Sequence, residues 1–175
     1  MQERERRFDE LARAVAQPLR RYVVRRTDPD TAEDVLADAL LVLWRRLDDV
    51  PADAALPWCY GVARRCLANA ERAARRRGRL AERAAGIHGP QPAQGHEEDP
   101  RIEEVHTALA RLGEEDRELL RLWAWEELSP AEIAMVLGVT PNAVSIRLHR
   151  ARKKVASLLA TGAGERPGPV PDRNR

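Results

Sequence analysis

The chain has 175 residues, enough for one ordinary domain or two small ones; a third of it is charged and only 4 % is aromatic, which suits several small helical units better than one large core. The net charge of +2 conceals segregation. Residues 64 to 83 carry eight arginines against Glu71 and Glu82, a net of +6, while residues 97 to 118 carry nine acids against three arginines, a net of -6. Such blocks imply a polyanionic partner. Cys59 and Cys66 are seven residues apart on a helical stretch, roughly 10 Å along the axis and beyond disulfide reach. Neither cysteine has zinc spacing to His88, His96, His106 or His149, so no metal is expected. No signal peptide and no run of 18 apolar residues occurs, which predicts a cytoplasmic protein without membrane insertion.

In chain order, Phe8 to Arg25 has helical apolar spacing through Phe8, Leu11, Val15, Leu19, Tyr22 and Val23, with a bend or break expected at Ala16 or Gln17 because Pro18 follows. The TDPD turn then offers Asp30 as a cap with Glu33 at the third helical position. The helix from Thr31 to Leu47 is apolar almost all the way round, interrupted by Asp38. One face of it is expected to pack inside and the other to meet another protein; the competing reading is that neighbouring helices cover it entirely. A proline-bounded loop spans Asp49 to Pro57.

The next predicted helix runs from Trp58 to about Arg77. Cys59, Val62, Ala63, Cys66, Ala70 and Ala73 form a thin apolar face, and Arg65, Asn69, Arg72 and Arg76 a cationic stripe opposite. Trp58 and Tyr60 at its start are placed for stacking on single-stranded or distorted nucleic acid. Residues 86 to 100, rich in glycine, proline and polar side chains, read as a flexible linker between domains 1-85 and 101-160. Ile102 to Leu112 is a predicted helix with Val105, Leu109 and Leu112 inward, and Glu114 to Trp125 another, with Leu119, Leu120, Leu122, Trp123 and Trp125 as core.

From Ser129 to Val155 two helix starts bracket one glycine. Ser129, Pro130 and Glu132 form a capping box before an Ile133, Ala134 and Leu137 stripe, and Gly138 stops it in the left-handed region. Thr140 and Pro141 restart a helix whose inward residues are Val144, Leu148, Ala151 and Val155. Steps of 100° leave Asn142, Ser145, Ile146, His149, Arg150 and Lys153 outward, flanked by Arg147, Arg152 and Lys154. This reads as a helix-turn-helix whose second helix enters a major groove, its outward N-terminal half on base edges and the flanking cations, Arg147 among them, on phosphates; a solvated basic helix in an ordinary bundle is the bland alternative. Residues 161 to 175 lack core residues and are expected to be disordered. The fold class is therefore all-α: two small helical domains on a flexible linker, the second containing the helix-turn-helix.

Three stretches in this order resemble the extracytoplasmic-function group of bacterial sigma factors: AEDVLADALLVLWRRL (32 to 47), PWCYGVARRCLANAERAARR (57 to 76) and LSPAEIAMVLGVTPNAVSIRLHRARKKV (128 to 155). The resemblance implies a region two in residues 1-85 that docks on the core RNA polymerase and binds the melted -10 element, and a region four in 101-160 that reads the -35 duplex. It places Asp34, Asp38, Leu41 and Trp44 on the polymerase, a flipped -10 base in the loop from Val50 to Pro57, and Trp58, Arg65, Asn69 and Arg72 on the exposed strand. Its -35 positions match Ser145, Ile146, His149 and Arg150, the face already obtained from helical angles; Arg147 is expected among the -35 contacts beside them.

This sequence departs from the family's pattern at Ser145, where a basic residue is common, at Ile146, where serine is common, and at Arg65, where asparagine is usual. An atypical -35 sequence follows, with Ile146 placed to meet a thymine methyl. The resemblance also implies a cognate anti-sigma factor and a chain that is monomeric when free, needs no cofactor and catalyses nothing. The acidic block is a candidate to sit against a basic helix in the free chain. The competing function is a conventional repressor or activator that binds palindromic sites as a dimer. An enzyme is the poorest fit, for no Gly-rich phosphate loop, nucleophile with base or paired carboxylates can be picked out.

Overall fold

The computed structural model describes residues 2–85, 105 and 107–164, which are helical apart from short turns and loops. The linker 86–100 and the tail 165–175 lie outside the described residues. The described helices are α1 (Gln2–Val24), α2 (Pro29–Arg45), a single 3-10 turn (Leu47–Asp49), α3 (Ala55–Ala85), α4 (Glu114–Ala124), α5 (Pro130–Leu137) and α6 (Pro141–Gly164), with a further helical turn at 107–110. They group into two compact units, one of α1, α2, α3 and residues 131–139, the other of 107–110, α4 and α6.

In the first unit α1, α2 and α3 pack on one another in all three pairings. Val15, Leu19, Tyr22 and Val23 of α1 meet Ala32, Val35, Ala39 and Leu43 of α2 and Cys59, Tyr60, Val62, Ala63 and Leu67 of α3, all buried. Pro18 does not break α1, which starts six residues before Phe8. The added turns are held by Arg4, whose guanidinium donates to Asp48 Oδ2 at 2.7 Å and to the Trp44 carbonyl at 2.9 Å. Across the same corner Phe8 meets Trp44 edge-on, with centroids 5.2 Å apart.

The cap of α2 is Asp28 and not Asp30: its Oδ1 accepts from the Thr31 amide at 3.0 Å, and Pro29 takes the first helical position, where the missing N–H costs nothing. That backbone hydrogen bond from Thr31 holds the Asp28 carboxyl below its ordinary pKa of 3.8. Glu33 instead pairs with Arg20 of α1 at 2.7 Å. The expected loop from Asp49 to Pro57 shrinks to residues 50–54, because Asp49 closes the 3-10 turn and α3 already begins at Ala55. Pro57 falls in the first turn of α3, a place that has no helical acceptor for an N–H. At its other end α3 runs past Arg77 to Ala85.

In the second unit α4 packs on α6. Leu119 and Leu122 of α4 and Val144, Leu148 and Ala151 of α6 are buried, together with Ala108 and Leu112. Arg117 closes the elbow before α4 by donating to the carbonyls of Leu109 at 3.0 Å and of Ala110 and Leu112 at 3.1 Å. Three expectations for this part are corrected. Val105 is 39 % exposed, and Trp123 and Trp125 are 38 % and 37 % exposed, because aliphatic side chains already fill the space between α4 and α6. Residues 161–164 continue α6 where a disordered tail was expected to begin. In α5 the buried set is Ile133, Ala134 and Val136, with Leu137 half-buried.

Candidate nucleic-acid interfaces

The start of α6 follows from local chemistry. Gly138 has φ +70, the left-handed conformation that ends α5 cheaply only for glycine. Two residues later Thr140 Oγ1 accepts from the Ala143 amide at 3.2 Å, capping α6. With Val144 fully buried, the opposite side is fixed: Asn142, Ser145, Ile146, His149, Arg150 and Lys153 are all exposed, Ile146 at 45 %. Ser145 donates its hydroxyl to the Pro141 carbonyl at 3.0 Å and so presents an acceptor outward. One predicted member of the basic cluster points elsewhere. Arg147 is half-buried, with Nη2 2.8 Å from Glu115 Oε2 and 3.4 Å from Asp116 Oδ1.

Beside this face lies a groove of about 610 Å³. Leu109, Trp123, Trp125, Val155 and Leu159 supply apolar walls, and His149 and Lys153 stand on the edge shared with the outward face. The Arg152 guanidinium lies 4.6 Å above the Trp123 ring. Sequence periodicity assigns both tryptophans to the core; Trp125 instead has the Arg121 guanidinium of its own helix 5.4 Å from its ring centre, an i,i+4 spacing, whereas the Trp123 partner on α6 is visible only in the folded helix pair.

The second cationic face belongs to α3. Arg65, Asn69, Arg72 and Arg76 are exposed along one side, as predicted, and Arg64, Arg75, Arg77 and Arg79 widen it. Part of the cluster is engaged internally: Arg65 Nε donates to the Gly61 carbonyl at 2.9 Å, Arg72 donates to Asn69 Oδ1, and Arg75 pairs with Glu71 at 3.2 Å. Trp58 is half-buried, with the Arg46 guanidinium 5.8 Å from its ring centre. Tyr60 departs from expectation. It is buried and tilted against Tyr22, centroids 4.9 Å apart, so it supports the core and offers no stacking surface.

On α2 the residues Asp34, Asp38 and Leu41 share the outer face, all exposed, with Leu41 at 44 %. Trp44 lies at its edge, half-buried between Phe8 and the Arg4 guanidinium, 5.4 Å from the ring centre. The helix that reads as apolar all round therefore turns Ala32, Val35, Ala39 and Leu43 inward and leaves one large aliphatic side chain, Leu41, uncovered on the same face as two carboxylates.

Among the described residues no three histidine, cysteine or acidic side chains are grouped to hold a metal, and no helix is long and apolar enough to cross a membrane. Both cysteines are free thiols; burial pushes Cys59 up to about 12, and burial with the Asp38 charge raises Cys66.

Residues 102–155 match the family model described as Sigma-70, region 4. The chain is 31 % identical over 157 residues to the RNA polymerase sigma factor CnrH of Cupriavidus metallidurans, covering 83 % of this chain and 81 % of that one. It is 32 % identical over 152 residues to the ECF RNA polymerase sigma factor SigL of Mycobacterium tuberculosis, covering 79 % and 81 %. Its fold is shared with the sigma factor RpoE from Bartonella quintana, solved in complex with the anti-sigma factor NepR, at a TM-score of 0.61 and 24 % identity over 87 % of this chain and 96 % of that chain.

Proposed function

The chain belongs to the extracytoplasmic-function (ECF) group of RNA polymerase sigma factors, and from that membership we propose that it binds core RNA polymerase and directs initiation at promoters whose -10 and -35 elements it recognises itself. The outer face of α2, with Asp34, Asp38 and Leu41 and with Trp44 at its edge, docks on the polymerase. The face of α3 with Trp58, Arg65, Asn69, Arg72 and Arg76 grips the opened -10 strand, cations on phosphates and the indole against a base. The -35 duplex is read by Asn142, Ser145, Ile146, His149, Arg150 and Lys153 of α6, Arg150 and Lys153 also supplying charge to the backbone. The domains follow as residues 1–85 and 101–160. Sigma factors are initiation factors, and we propose no reaction catalysed by this chain. It works in the cytoplasm, where its polymerase is. A cognate anti-sigma factor is the third proposed partner: the Bartonella protein of like fold was solved with one, and the exposed Leu41 is the kind of side chain such a partner would cover.

The observation that carries this reading is the outward face of α6, exposed along its whole N-terminal half behind a capped start and a left-handed glycine. Run-off transcription tests it. The full chain with core polymerase on genomic fragments should start transcripts at defined positions, and the mapped sites should share an upstream element. Polymerase binding with no gain in start-site selectivity would defeat the assignment. A dimer in solution that binds palindromic DNA without polymerase would favour the conventional repressor or activator instead.

A further inference from the structure

Arg147 sits in the most basic stretch of α6, yet its geometry separates it from its neighbours. At 100° per residue it lies about 60° round the helix from the buried Val144, whereas Arg150 lies about 120° away. Its stem is half-buried and its guanidinium reaches back to α4, 2.8 Å from Glu115 Oε2 and 3.4 Å from Asp116 Oδ1. Those two acids stand in the first turn of α4, where the helix dipole favours carboxylates, so they hold their places independently of the arginine. Two carboxylates around one guanidinium leave the cluster net negative. A phosphate approaching Arg147 would have to displace both and lie beside them, which the other cations of α6 do not require.

We propose that Arg147 is a positioning residue: it anchors the first turns of the reading helix to Glu115 and Asp116 of α4 and makes no phosphate contact. This rests on the reading of α6 as the -35 helix. The charge that α6 presents to DNA then comes from Arg150 and Lys153 with the flanking Arg152 and Lys154, and Arg147 sets where they point.

The test compares R147M, R150M, E115Q/D116N and the variant combining R147M with E115Q/D116N, all in the full chain. Methionine keeps an apolar stem at each arginine and removes the charge. Binding to a duplex carrying the mapped upstream element is followed by anisotropy across a salt series. R150M should lower the slope of log affinity against log salt by about one. R147M should leave the slope unchanged and weaken binding by about two- to fivefold at every salt concentration, the equilibrium counterpart of an ion pair this exposed. Without DNA, R147M and E115Q/D116N should each speed amide exchange across 144–150 by a similar factor, and the combined variant should add nothing further. A slope lowered by about one in R147M, or exchange effects that simply multiply in the combined variant, overturns the proposal. If no mapped duplex is bound selectively by the unaltered chain, the -35 reading falls, and the exchange measurements still decide the anchor.

Discussion

The two units differ in which aromatic side chains they bury. In the first, Tyr22 and Tyr60 are buried against each other and Trp44 is wedged between Phe8 and Arg4. In the second, aliphatic side chains make the core while Trp123 and Trp125 stay more than a third exposed beside arginines. The same residue class thus has two uses. Where three helices converge, a large ring fills volume that no aliphatic pair would; where a helix pair already closes on leucine and valine, an indole remains at the surface with a cation over its face.

The sharpest way to break that contrast is Tyr22→Ala. A fully buried ring with no space to collapse into should cost about 3–5 kcal/mol, read as a lowered urea midpoint with exchange protection lost in α1 to α3 and kept in α4 and α6. A change below about 1 kcal/mol would show that the tyrosine pair is not what holds the first unit.

Cys59 sharpens the comparison from the same core. Its thiol is pushed up to about 12 from an ordinary 9.0, so alkylation near pH 8.5 should run on the order of a hundredfold slower in the folded chain than in urea. The sign for stability follows. The folded state holds the proton more tightly, so the contribution is complete below about pH 9 and is lost as pH rises towards 12. Cys59→Ala should flatten that alkaline loss in a melting series, and rapid labelling of native Cys59 would contradict its burial.

The smallest effect belongs to the second unit. Trp123→Ala should cost about 1 kcal/mol or less, since what it removes is an exposed ring and one cation contact. A loss as large as that of Tyr22→Ala would mean that the indole is core after all and would erase the distinction between the units.

What was legible in the sequence was local. Gly138, Thr140 and Pro141 state the turn and the restart of α6 within four residues, and 100° steps then give its outward face without any knowledge of what lies behind it. The cationic side of α3 and the exposed Asp34, Asp38 and Leu41 of α2 were legible for the same reason. Fates decided by distant partners were not. Tyr60 stands at the start of the cationic helix beside Trp58, where it reads as a stacking residue, but Tyr22, 38 positions earlier, claims its ring. Trp123 and Trp125 are apolar in composition, yet no vacancy remained for them. Asp28 outcompeted Asp30 as a cap because Pro29 suits the first helical position, a contest between two neighbouring acids that the motif alone does not settle. Arg147 reads as one cation among five until the acids of α4, more than thirty residues upstream, come within reach.

Arg117 shows what a single planar side chain can replace. Three carbonyl oxygens at the end of the 107–110 turn converge on one fork of N–H groups, so the elbow into α4 needs neither a left-handed glycine nor a row of ordered waters. A lysine ammonium, a compact centre on a flexible tether, has no equivalent spread of donors. The joint between two helices is therefore written in one codon, and its stiffness can be raised or relaxed there without touching either the core behind it or the reading surface beyond.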